Sequence, residues 1–146
     1  MLGRSSQRSR RRPGREPLRF VLDSGAVVAE SKGDRRVRAL IREALNEGAV
    51  LIVPAIVVTE TFRGNSQDVL LNRLLDRVVF DVADFELAKV AGRLLAVTGI
   101  SNAPDAQVVA VALRRAPCVI LTGDEQDITA LVNGRSDISI VNVNTL

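Results

Sequence analysis

The stretch Arg19-Phe20-Val21-Leu22-Asp23-Ser24-Gly25-Ala26 decides the fold. A short, unbroken run of β-prone apolar residues ends on one carboxylate, then passes through Ser-Gly into a helix-forming segment. Strands covered by helices on both faces carry this continuous pattern, whereas half-exposed strands alternate. The interior of such a strand does not tolerate a charge. Asp23 therefore belongs at its carboxyl end, the edge where open α/β sheets bind their ligands.

The same strand-then-helix rhythm continues outward along the chain. Spacing predicts strands over 19–22, 49–53, 78–82, 118–121 and 138–143. Between them it predicts a helix over 24–31 and a second over 34–46, capped by Asp34 and ended by Gly48. A third, over 54–63, has Pro54 in its first turn. A fourth, over 66–76, has Val69, Leu70 and Leu74 on its apolar side. Asp84 begins a helix to 97, with Leu87, Val90, Ala91, Leu94 and Leu95 at helical spacing. Pro104 begins another to 115, stopped by Pro117, and the last covers 124–133. Five apolar strands separated by helices imply a three-layer α/β/α fold around a five-stranded parallel sheet with right-handed crossovers.

Residues 18–146 read as one domain, long enough to bury about 68–70% of its unfolded surface. Residues 1–17 are Arg, Ser, Gly and Pro with almost nothing to bury, and are expected to be a disordered extension. Charge divides at the same place. Residues 1–19 hold seven arginines against one acid (net +6), and the remainder holds 13 basic against 16 acidic residues (net −3). The overall pI near 10.0 thus belongs to the tail. The tail reads either as a plain extension or as a salt-sensitive electrostatic clamp on nucleic acid.

Composition excludes several function classes. The chain has no histidine, which removes Ser-His-Asp and Cys-His triads and histidine-ligated zinc or iron. The absence of Trp and Tyr, with only four Phe, argues against reading bases by aromatic stacking. A single cysteine, Cys118, fits inert core in a reducing cytoplasm, and the apolar runs are too short to cross a membrane. Catalysis, if present, must rest on carboxylates.

Four acids are directed by this topology to one rim. Asp23 leaves the first strand, and Asp124 follows the fourth in Leu121-Thr122-Gly123-Asp124, with Asp127 one turn further. Asp105 opens a helix that runs back into the fourth strand, so its start lies over the same edge. Glu60 lies six residues beyond Pro54, about 9 Å along its helix, with a side chain able to lean toward the helix start. Taken singly, the three aspartates suit helix caps or first-turn acids, and Glu60 suits a solvated helix position. Taken together they repel, since two carboxylates 4 Å apart do so by about 4 kcal/mol at an effective dielectric of 20. Such a group is tolerable with a cation among it or with protons taken up. Oxygen ligands alone select hard ions, Mg²⁺ or Mn²⁺, which activate water and stabilise a phosphodiester transition state.

Val21-Leu22-Asp23-Ser24-Gly25, Pro54 to Thr59-Glu60, Pro104-Asp105-Ala106-Gln107-Val108-Val109-Ala110 and Leu121-Thr122-Gly123-Asp124-Glu125-Gln126-Asp127 resemble the four acidic motifs of PIN-domain ribonucleases. In length and spacing they look like the VapC-type toxins of bacterial toxin–antitoxin pairs, over about residues 19–143. The resemblance implies a Mg²⁺- or Mn²⁺-dependent endoribonuclease acting on RNA, homodimeric and silenced by a small cognate antitoxin. It implies a catalytic set of Asp23, Glu60, Asp105 and Asp124, of which Asp23, Asp105 and Asp124 hold the metal. Asp127 becomes an outer member, Thr122 a family hydroxyl, and Ser24 an aid to orienting Asp23. The Arg-rich amino terminus is a departure that the family pattern does not require.

Arg63, just past Glu60, reads as a phosphate or antitoxin contact or as a solvated helix residue; Arg114-Arg115 and Arg35-Arg36-Arg38 read as solvated faces. Gly99 and Gly123 read as turn glycines, since no phosphate-cradling glycine motif is present. A haloacid-dehalogenase-like phosphatase needs a second Asp two residues after the first, where Gly25 stands. A response-regulator receiver, with Asp81 as phosphoacceptor, needs a Lys after its fifth strand, where Val143-Asn144-Thr145-Leu146 has none. The serious alternative is a catalytically silent module of the same fold that binds RNA or protein.

Overall fold

The computed structural model describes residues 16–146, so the extension expected over 1–17 lies, apart from Glu16 and Pro17, outside the described residues. Five strands form one parallel sheet: β1 (Arg19–Leu22), β2 (Val50–Pro54), β3 (Val79–Asp81), β4 (Cys118–Thr122) and β5 (Ile138–Asn142). Their order is β3-β2-β1-β4-β5, with the first strand at the centre. Phe20 pairs with both Leu51 and Val119, and Val21 with both Ile52 and Ile120. Enclosure on all sides explains the unbroken apolar run: Val21 and Leu22 are fully buried.

Helices α1 (Ser24–Ser31), α2 (Arg35–Asn46), α3 (Ala55–Thr61) and α4 (Val69–Leu75) link β1 to β2 and β2 to β3. Helices α5 (Phe85–Thr98), α6 (Ala103–Arg115) and α7 (Glu125–Val132) link β3 to β4 and β4 to β5. The chain walks outward from β1 to β3, then returns across the sheet to β4. Right-handed crossovers therefore place the two helix groups on opposite faces. Packing follows this division: α1 contacts α2, α3 and α4, while α5, α6 and α7 contact one another. Among the described residues, no single helix is long and apolar enough to cross a membrane.

Local chemistry sets the helix limits. Asp34 caps α2 by accepting from the Arg36 and Val37 amides at 3.0 Å each, and Asp84 caps α5 through the Leu87 amide at 2.8 Å. Gly99 ends α5 in the left-handed region, φ 71°, which costs a glycine little. Between α3 and α4 a 3₁₀ turn, Ser66–Asp68, is closed by reciprocal capping of Asn65 and Asp68. That turn delays the α-helix and shifts its phase. Leu71 and Leu74 carry the buried side, while Val69, expected there, is exposed.

The paired arginines at the end of α6 are not a solvated face. Asp81 is buried at the end of edge strand β3, and Arg114 Nη1 and Arg115 Nε each donate to it at 3.0 Å. Arg114 also reaches Asp84 at 2.8 Å. A carboxylate withdrawn from water at a strand end requires such partners, and α6 ends where it can supply them. On α2, Arg38 lies 3.9 Å from the buried Glu30 and Arg36 donates to the Leu146 carbonyl, so only Arg35 of that trio remains simply solvated.

Candidate metal centre

The sheet order reverses direction at the β1–β4 pair, the place where parallel sheets open a crevice at their carboxyl ends. Asp23 stands there. Its amide still bonds the Leu121 carbonyl at 2.9 Å, as the last rung between β1 and β4. Its side chain then caps α1: Oδ1 accepts from the Ser24 amide at 2.7 Å, while Oδ2 accepts from the Thr122 hydroxyl at 2.7 Å. Asp23 is 3% exposed. Burial raises its proton affinity; the bonds from Thr122 and Ser24 oppose that, and the Asp124 charge adds to it.

Thr122 joins the two strand-end acids. While its hydroxyl donates to Asp23, its oxygen accepts from the Asp124 amide at 2.9 Å. Asp124 then caps α7, its Oδ1 lying 3.5 Å from the Asp127 amide. The loop carrying Asp124 lies directly on the start of α1. A β-carbon on Gly25 would stand 2.7 Å from the Gly123 nitrogen and 2.9 Å from its α-carbon. Gly25 thus permits a backbone approach that no other residue allows.

Asp105 comes to the rim from the opposite layer. It occupies the first turn of α6, whose cap is Asn102. Asn102 Oδ1 accepts from the Asp105 amide at 3.1 Å, and Asn102 Nδ2 donates to Asp105 Oδ2 at 2.9 Å. Burial, then the charges of Asp23, Asp124 and Asp127, push the Asp105 carboxyl up to about 7. The crowding is visible directly: one carboxylate oxygen from each of Asp105, Asp124 and Asp127 lies within 4.8 Å of the others.

The geometry thus brings Asp105, Asp124 and Asp127 into one compact triad. Asp23 adjoins it, acting on both Asp105 and Glu60 through its charge. Glu60 lies near the end of α3, exposed, its proton affinity raised by partial burial and by Asp23. Ser24 contributes its backbone amide. Arg63 folds back onto its own helix, donating to the carbonyls of Thr59, Glu60 and Phe62 at 3.2, 3.0 and 2.8 Å. Asn102 is the participant that sequence reasoning passes over as loop, although an Asn three residues before an acid at a Pro-started helix is a capping signal. Three to four carboxylates without a cationic side chain among them form a donor set suited to a hard divalent cation.

A parallel α/β/α sandwich with an acidic cluster at the switch point of its sheet is the class of protein that fold and site define together. Residues 20–130 match the PIN domain, and the chain belongs to that family. No curated protein matches the sequence. Three of the solved structures that share the fold illustrate the likeness. VapBC2 from Rickettsia felis, bound to a DNA fragment from its promoter, superposes with a TM-score of 0.66 at 14% identity, covering 86% of this chain and 98% of that one. DNA-bound VapBC from Salmonella typhimurium gives 0.63 at 18% identity, with the same coverage. FitAcB from Neisseria gonorrhoeae gives 0.60 at 21% identity, covering 87% of this chain and 99% of that one. At these identities the likeness is one of fold.

Proposed function

We propose that this protein is a divalent-metal-dependent endoribonuclease, acting as the toxin of a VapBC-type toxin–antitoxin pair. The observation that carries the reading is the triad of Asp105, Asp124 and Asp127 oxygens within 4.8 Å, flanked by the buried Asp23. Membership of the PIN domain family and the toxin–antitoxin names of the structural neighbours support it. The carboxylates would hold Mg²⁺ or Mn²⁺, which when bound supplies Lewis-acid activation of water and charge stabilisation at a phosphodiester.

The chain's own residues have separable tasks in this reading. Asp105 and Asp124, with Asp127 beside them, gather negative charge at the switch point. Asp23 completes that charge from beneath, its orientation fixed by Thr122 and by the Ser24 amide. Glu60, with its raised proton affinity, is the rim acid suited to accept a proton during hydrolysis. Arg63 keeps a guanidinium on the outer edge of α3, in reach of an approaching phosphate chain or an antitoxin carboxylate. Residues 18–146 form the nuclease domain, and the arginine-rich residues 1–17 an extension that holds nucleic acid.

A small antitoxin would silence the acidic rim, and a second copy of the chain would cover the apolar strip beside β3. There Phe80, Val82 and Phe85 are 46%, 67% and 74% exposed, and neighbouring exposed apolar side chains suit an interaction surface. The assembly is assigned to the cytoplasm.

The test uses the full chain with a mixed RNA pool, with and without Mg²⁺ or Mn²⁺. Cleavage should require the cation and vanish in Asp23→Asn and in Asp105→Asn while circular dichroism stays native. Wild-type rates in both variants would overturn the assignment. RNA retained but never cut would replace it with the silent binding module.

A further inference from the structure

We infer that Asn102 is a positioning residue for the metal centre, aligning the Asp105 carboxylate through its side-chain amide; the inference rests on the metal-dependent reading above. Two bonds close a small ring between the same two residues. The Asp105 amide donates to Asn102 Oδ1 at 3.1 Å, and Asn102 Nδ2 donates to Asp105 Oδ2 at 2.9 Å. The first bond is an ordinary helix cap, which Ser, Thr, Asp or Asn can all form. It also settles the amide's orientation: with Oδ1 facing a backbone N–H, Nδ2 must face the carboxylate.

The second bond is the informative one. In the usual reciprocal box, the acid at the third helical position returns to the backbone N–H of the cap residue. Here it returns to the cap's side chain instead. Among the preferred capping residues, Asn alone carries its acceptor and its donor on two separate atoms, Oδ1 and Nδ2. Asp would cap α6 with acceptors alone, and Ser with a single hydroxyl one bond nearer the backbone than Nδ2.

Holding Oδ2 fixes the torsion that aims the other carboxylate oxygen. Asp105 is the member with the most to gain from being held. It is 7% exposed, and it feels the charges of Asp23, Asp124 and Asp127 together. Repulsion from three neighbours drives the group to rotate away unless something anchors it. Hydrogen bonds of this kind behind a metal ligand typically change metal affinity by about 10–100-fold.

The experiment separates capping from aiming. Asn102→Ser keeps a cap acceptor and loses the amide N–H that reaches Asp105 Oδ2, its hydroxyl ending one bond nearer the backbone. Asn102→Gly is tolerated at a cap for a few tenths of a kcal/mol and also lacks the donor. Full-length wild type and both variants are titrated with Mn²⁺ alone by calorimetry, without RNA, and melted in parallel. The expected result is wild-type binding, with affinity weakened about tenfold or more in each variant that melts within a few degrees of wild type. Either folded variant binding Mn²⁺ as tightly as wild type overturns the inference, because a purely structural cap moves the melt and leaves affinity alone. Wild type that binds no Mn²⁺ overturns the metal reading itself, a different failure seen in a different sample.

Discussion

Replacing Asp105 by Asn should stabilise the metal-free protein at alkaline pH and abolish its response to divalent cations. In the folded chain, burial and three neighbouring acids push this carboxyl up to about 7 from an ordinary 3.8. Between those values the unfolded chain has released the proton while the folded chain still holds it. The native state then binds more protons, so stability falls as pH rises through the interval and levels off above it. About three units at about 1.36 kcal/mol each set a ceiling near ~4 kcal/mol. Water and salt at the open rim screen it, leaving about 1–2 kcal/mol. That corresponds to roughly 3–8 °C in melting temperature for a domain of this size. The assay is thermal melting in EDTA at several pH values from 4 to 8, then at pH 8 with Mg²⁺. Wild type should lose stability relative to Asp105→Asn as pH rises, and Mg²⁺ should restore wild type alone. Parallel curves for the two proteins across this range would refute the crowding argument.

Gly25→Ala places a β-carbon 2.7 Å from the Gly123 nitrogen, against rigid backbone, and should destabilise by about 1–3 kcal/mol in urea melts. Gly123→Ala meets nothing closer than 3.5 Å and should be far milder; equal losses would contradict the close approach. Thr122→Val keeps the volume but strands Asp23 Oδ2 and the Asp124 amide, costing about 1–3 kcal/mol, with cleavage lost alongside. An unchanged urea midpoint would show that the hydroxyl is dispensable. Phe85→Lys should convert a dimer to a monomer in light scattering, and an unaltered mass would clear that face of any role in self-association.

Much of the architecture is legible in the chain because each strand is a bounded apolar run and all the helices but α3 and α4 begin on a side-chain cap. Asp34 and Asp84 act within three residues of themselves, and such local chemistry survives without tertiary context. The 3₁₀ turn at Ser66–Asp68 is also local, yet it shifts the register of the following helix and so hides Leu71 as the inward residue. What lies across the sheet is not legible. Nothing near Asp81 announces that Arg114 and Arg115, more than thirty positions away, will close over it. The acids are legible as individual residues, since each stands at a strand end or helix start. Their relative depth is not. The resemblance implies that Asp127 is an outer member, whereas one of its carboxylate oxygens lies in the tight triad with Asp105 and Asp124. Asn102 is readable as a cap, but its hold on a carboxylate depends on a rotamer that spacing does not specify.

Because β1 lies at the middle of the sheet and its second neighbour is β4, a ribosome must emit about a hundred more residues after it before that flank is covered. Until Cys118–Thr122 emerges, β1 shows an open hydrogen-bonding flank and Asp23 lacks its hydroxyl partner. A fragment ending before that point lacks both the β4 pairing and the Thr122 hydroxyl. On the proposed nuclease reading, synthesis itself delays completion of the acidic rim until β4 has been made.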